Sequence, residues 1–155
     1  MTTQDLIASA TEFVAEAERM TNERDVDGVH GVFSHDAHQV ATLDGLLIDA
    51  RGIDEIHKAW GTMCAFMETR RMFVTKTLVA ADANTIVNEW VGEVAGKHSA
   101  RGIEVWELNE VGLVVEQRLY GFLDARPESS VVQNLRMLLA HPLTAVGYAR
   151  ARVGA

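Results

Sequence analysis

From Met72 to Leu123 the chain reads as four long strand segments joined by turns, and no other feature constrains its fold as tightly. Met72–Ala80, Thr85–Ala95, Ala100–Leu108 and Leu113–Leu123 are rich in Val, Thr, Ile and Trp, residue types that suit a half-buried pleated surface. Turn-formers at Asp82–Asn84, Gly96-Lys97 and Asn109-Glu110-Val111-Gly112 separate them. Connections this short have no room for the crossover that parallel neighbours require, so the four segments form an antiparallel meander.

The residues before the meander are mostly helical. Leu6, Ile7, Ala10, Phe13, Val14, Ala17 and Met20 recur at the spacing of an amphipathic helix, which Thr2 or Thr3 can cap. Asp25 or Asp27 can cap a short second helix bearing Val29, Val32 and Phe33. His38, Val40 and Thr42 then alternate with Gln39 and Ala41, and Asp44-Gly45 marks a hairpin into Leu46, Leu47 and Ile48. Ile53, Ile56, Trp60, Met63, Cys64 and Met67 return to helical period. After the meander, Ser129 or Ser130 caps a helix carrying Val131, Val132, Leu135, Leu138 and Leu139, Pro142 breaks it, and a further stretch runs from Leu143 to Arg152. The expected organisation is an α+β domain over residues 1–127 with a C-terminal helical extension over 128–155.

Composition narrows the function. The chain has 155 residues, of which 48% are hydrophobic and 23% charged, enough apolar material for one core and a lined cavity. A net charge of -8 repels phosphate backbones and anionic lipid, so neither nucleic acid nor a membrane is expected as a partner. Cys64 alone cannot form an internal disulfide, Asp5 stands where a signal peptide carries a basic residue, and no apolar run approaches the roughly 18 residues of a membrane span. A cytoplasmic protein is the expectation.

Three local sequences stand in order along this pattern: Phe33-Ser34-His35-Asp36-Ala37, Arg51-Gly52-Ile53-Asp54-Glu55-Ile56, and Ile103-Glu104-Val105-Trp106-Glu107-Leu108 with Gly112 after it. With the element order they resemble the nuclear transport factor 2-like superfamily, which includes ketosteroid isomerases, limonene epoxide hydrolases and SnoaL-type polyketide cyclases. The resemblance implies a cystatin-like cone, a curved antiparallel sheet wrapped around the N-terminal helices, with an apolar cavity inside and a C-terminal helix added. A one-residue shift on any strand moves a side chain from cavity to exterior.

The resemblance also implies site positions. Glu104 falls where ketosteroid isomerases carry an oxyanion-hole aspartate and SnoaL-type cyclases a catalytic histidine. Ala100, Gly102, Trp106 and Leu108 share its face and carry no positive charge, so Glu104 is expected inside the cone as a neutral acid. Gln39 and Ala41 fall at the water-binding and general-base positions, Leu119 at the aspartate of epoxide hydrolases and cyclases, with Gln117 and Val115 on its face, and Ala17 at an isomerase tyrosine. Trp60, Met63 and Met67 are core and cavity wall at once. The expected set is therefore Glu104 as the catalytic group, with Gln39, Ala41, Trp60, Met63, Met67, Trp106, Gln117 and Leu119 binding the ligand. With Ala41 in place of a base and Leu119 in place of an acid, neither ordinary steroid isomerisation nor limonene-type epoxide hydrolysis is expected.

Other residues read more quietly. The phase of Thr85–Ala95 stays open: either Asn88, Trp90 and Gly92 or Glu89, Val91 and Glu93 face inward. His30, His35, His38, His57, His98 and His141 form no HxxxH or HxH cluster, so no metal is expected, nor any cofactor. Cys64 has no basic residue at helical spacing and reads as packing. Arg118 and Tyr120 face outward, where an apolar and aromatic surface, with Trp90 or Trp106 contributing, is expected to form a homodimer. Two functions are compatible with these residues: a cofactor-independent isomerase, cyclase or lyase acting on an apolar molecule such as a polyketide or steroid, or a non-catalytic ligand-binding or dimerisation module. A cavity of roughly 300 Å³ or more suits small-molecule binding, and a filled cone suits a structural role.

Overall fold

The computed structural model describes residues 3–94, 97–124 and 130–153. Thr2, Gly96 and Ser129, named above as cap or turn residues, lie outside them. The chain divides into two compact units, Met1–Ala125 and Arg126–Ala155.

In the first unit, helix α1 (Thr3–Glu23) precedes a short helix α2 (Val29–Val32), strands β1 (Phe33–Leu43) and β2 (Leu46–Arg51), helix α3 (Ile53–Thr69), and strands β3 (Met72–Ala81), β4 (Thr85–Val94), β5 (Lys97–Leu108) and β6 (Val114–Phe122). The six strands form one sheet in the order β2-β1-β6-β5-β4-β3. The β1–β2 hairpin turns at Asp44 and Gly45, whose φ values of 53° and 83° are the two positive angles of a type I′ turn. The meander β3–β6 is antiparallel throughout. One pair departs from a purely antiparallel sheet: β1 and β6 run parallel, with Gln39 opposite Gln117 and Ala41 opposite Leu119. The meander's last strand returns alongside the first hairpin in the direction of β1, and this pairing joins the two halves.

The exposed edge of a sheet needs cover for its unpaired backbone groups. Here α1 supplies it to β3. Asn22 donates to the Val74 carbonyl and accepts from its N–H, both at 2.9 Å, Glu18 accepts from the Lys76 N–H at 2.6 Å, and Arg24 donates to the Met72 carbonyl. These bonds pin the helix along β3 while Ala10, Val14 and Met20 turn inward.

Alternation of burial fixes the phase of each strand. Ala37, Gln39, Ala41 and Leu43 of β1, Met72 and Val74 of β3, Ile86, Asn88, Trp90 and Gly92 of β4, and Ala100, Glu104 and Trp106 of β5 are buried. The open question on β4 thus resolves toward Asn88 and Trp90, and Glu89 and Glu93 are exposed. On β6, Val114 is buried in place of the expected Val115. The β5–β6 register jumps from Glu107↔Glu116 to Leu108↔Val114, so a bulge at Val115 flips the face. Trp90 and Trp106 are each 5% exposed, so neither contributes to the outer surface as expected of one of them.

The second unit contains helices α4 (Val131–Ala140) and α5 (Pro142–Val153). Ser130 caps α4 by accepting from Gln133 N–H at 3.2 Å, and Pro142 opens α5 after the break at His141. No helix among the described residues is long and apolar enough to cross a membrane.

Candidate functional site

Two adjoining cavities of about 60 and 50 Å³ occupy the hollow between α1, α2, α3 and the sheet. Trp60, Met63, Lys76, Glu104 and Leu119 line both. Their walls are largely apolar, and an ion pair stands where they meet. Lys76 Nζ lies 2.6 Å from Glu104 Oε2, and each side chain is 5% exposed. Asn88 Nδ2 donates to the same oxygen at 2.9 Å, and Trp106 Nε1 donates to Asn88 Oδ1 at 2.7 Å. The Lys76 ammonium also sits 5.6 Å from the centre of the Trp106 ring, within range of its negative face.

This geometry corrects the expectation that Glu104 has no positive neighbour. Same-strand neighbours do supply none, but β4 pairs with both β5 and β3, and Lys76 reaches across from two strands away. In an apolar interior a carboxylate is retained by such a partner together with hydrogen bonds.

A second polar pair lies on the β1–β6 side of the cone, where Gln39 Nε2 donates to Gln117 Oε1 at 2.6 Å between two buried side chains. Gln39, Ala41, Trp106 and Gln117 line the larger cavity and Met67 the smaller, so the residues expected to bind ligand are brought together. Ala17 and Met20 of α1 complete the larger wall. Among the described lining residues Glu104 is the one carboxylate and Lys76 the one cation, and neither histidine nor tyrosine is present. His38 turns away to Asp49 at 2.8 Å, and Cys64 is buried, with desolvation pushing its thiol above the ordinary range, as suits packing.

A family model described as a SnoaL-like domain matches residues 11–117. The chain belongs to the SnoaL-like domain family. Among solved structures, a steroid delta-isomerase from Pseudomonas aeruginosa is similar at 18% identity, over 96% of each chain, with a TM-score of 0.54. SalBIII, an epoxide hydrolase/cyclase-like enzyme in pyran ring formation of the polyether salinomycin, is similar at 18% identity over 74% of this chain and 91% of its own, TM-score 0.56. A protein of unknown function with a cystatin-like fold from Methylobium petroleophilum PM1 is similar at 24% identity, 79% and 80% coverage, TM-score 0.58. Likeness at this identity carries the fold alone. No curated protein matches the chain.

Two members of this SnoaL-like site escaped the sequence reading. Asn88 belonged to one of two phases left open. Lys76 carried a signal, since it falls in phase with Met72, Val74 and Leu78. The alternate positions, however, include Phe73 and Val79, so hydrophobicity does not phase this strand, and it is exposure of Phe73 at 60% and Val79 at 56% that does.

Proposed function

We propose that this SnoaL-like domain binds a small, mostly apolar molecule by one polar group, and acts on it by cofactor-independent acid–base chemistry of the isomerase or cyclase kind. The observation that supports it is the Lys76–Glu104 pair, buried where two apolar cavities meet. A carbonyl oxygen entering there takes a hydrogen bond from Lys76, and the Glu104 carboxylate removes a proton from the adjacent carbon. Lys76 then stabilises the enolate oxygen, and Glu104 returns the proton at the same or a conjugated carbon. Gln39 and Gln117, bonded to each other on the wall of the larger cavity, would orient the same ligand.

Cavity size supports a small substrate. At about 60 and 50 Å³ the cavities fall well short of the roughly 300 Å³ of a typical ligand site, so a single-ring ketone or enone is favoured over a steroid or polyketide. Unbranched Met20, Met63 and Met67 in the walls are the side chains best able to yield room. The same size, with Ala41 and Leu119 at the positions of lost acids and bases, favours a second reading, a binding module without turnover.

Cyclohex-2-enone separates the two. We expect the Trp60 and Trp106 indole N–H signals to shift on titration in H₂O, and deuterium to enter beside the carbonyl on incubation in D₂O. Lys76→Met and Glu104→Gln should each slow that exchange by about a hundredfold or more. Shifts without exchange above buffer would leave only the binding module, and unmoved indole signals would remove both readings.

We further propose a homodimer through the outer face of the sheet, where Phe73, Ile103 and Tyr120 are exposed. Light scattering should give twice the chain mass at micromolar concentration. Single-chain particles there would count against it.

A further inference from the structure

Asp27 and His30, three residues apart at the start of α2, and His57 of α3 converge on the outside of the cone wall. One potential ligand atom from each lies within 4.8 Å of the others. His57 Nε2 stands 3.0 Å from Asp27 Oδ1, and the His30 and His57 rings stack at 5.2 Å with 29° between their planes. Local spacing brings only Asp27 and His30 together, and nothing along the chain points to His57 as their third member. Tertiary contact between α2 and α3 makes the cluster.

The arrangement is held in place from beneath. The Asp27 carbonyl accepts from the His30 N–H at 3.1 Å, closing a turn that leads into α2 and holds the two residues together. Trp60 Nε1 donates to the Asp25 carbonyl at 3.0 Å, tying that turn to α3. His57 lies three residues before Trp60, so the bond that anchors the loop also swings His57 over it. The Gly28 N–H bonded to Asp25 Oδ1 at 3.0 Å fixes the intervening backbone.

We propose that Asp27, His30 and His57 form a binding site for a divalent transition-metal ion of the zinc class. Two imidazoles and one carboxylate are a borderline donor set, which suits Zn²⁺, Ni²⁺ or Cu²⁺ and does not suit Mg²⁺ or Ca²⁺. Ligand atoms about 2.0–2.1 Å from a tetrahedral ion stand about 3.3 Å apart, close to the 3.0 Å already separating His57 from Asp27. In forming the site the metal replaces the shared proton of that hydrogen bond. The exposed His30 ring closes the remaining distance by turning about its own side-chain bonds, and water fills the fourth position. Binding would clasp α2 to α3, whose inner faces present Val29, Val32 and Trp60 to the larger cavity.

The test is calorimetric titration of the untagged, chelator-treated full chain with ZnCl₂ in a non-chelating buffer. One equivalent should bind, and Zn²⁺ should raise the thermal midpoint because the unfolded chain lacks the site. Loss of an outer-sphere partner already costs metal sites about 10–100-fold, so loss of a ligand should cost His30→Ala and His57→Ala at least tenfold in affinity. His57→Gln keeps a polar side chain toward Asp27 and serves as a folded control that should also bind weakly. Should His57 variants fail to fold, the exposed His30→Ala decides by itself. Zn²⁺ affinity within twofold of the parent in His30→Ala, or uptake of several ions spread over other histidines, overturns the proposal.

Discussion

Lys76→Met should destabilise the protein by about 3–5 kcal/mol, the cost of leaving a buried carboxylate without its partner. Lys76 and Glu104 are each 5% exposed and 2.6 Å apart, so solvent does little to screen either charge. Methionine fills the space of the lysine stem and removes the ammonium, which isolates the electrostatic loss from packing. Glu104→Gln strands the lysine instead, though the new amide oxygen still accepts from it, and a smaller loss results. The double variant Lys76→Met/Glu104→Gln should recover most of the stability, because no uncompensated charge remains. Urea unfolding checks all three, with midpoints shifting at an unchanged slope. A cost below about 1 kcal/mol for Lys76→Met would contradict a pair buried from water. Recovery in the double variant matters for function as well. A buried ion pair that can be replaced without loss is not maintained for stability, and the site is then the reason for it.

How far a sequence exposes such a site depends on whether the signal is local. The Asp44-Gly45 turn and the cap and break of α4 at Ser130 and Pro142 rest on neighbours along the chain, the inward phase of Glu104 was implied by the family resemblance, and all appear in the structure. Lys76 was hidden because β3 is apolar on both faces, so alternation has two solutions there. The parallel β1–β6 pair was hidden for another reason: turn chemistry specifies which adjacent strands pair, while the partner of a returning strand is chosen by packing over the whole sheet. The bulge at Val115 belongs with it, since one extra residue in β6 reverses strand parity across it and no residue type announces the change. The Asp27, His30 and His57 cluster is a further case, because the docking of α2 on α3 adds His57 to a local Asp27–His30 pair.

The second large effect is expected at a glycine. Gly102 and Gly121 face one another across β5 and β6, and the Trp90 indole lies over both. A Cβ at Gly102 would overlap the Tyr120 carbonyl oxygen and come within 2.6 Å of Trp90 Cζ2. The ring edge can yield only by displacing a side chain that is 5% exposed in the cluster with Leu43, Met67 and Met72. The carbonyl is backbone, and it cannot move without opening the β5–β6 ladder. Gly102→Ala should therefore cost about 3 kcal/mol, the upper range of overpacking, despite adding a single methyl group. Trp90→Leu in that background should restore part of the loss, because it relieves one of the two overlaps and leaves the carbonyl in place. Gly31 gives the control: a Cβ there meets nothing within 4 Å, and Gly31→Ala in α2 should be neutral or slightly stabilising. Thermal or urea unfolding of the three variants tests the packing directly. A Gly102→Ala protein within about 0.5 kcal/mol of the parent would mean that the indole does not lie against the glycine pair, and the inner wall of the smaller cavity, which Trp90 helps form, would have to be redrawn.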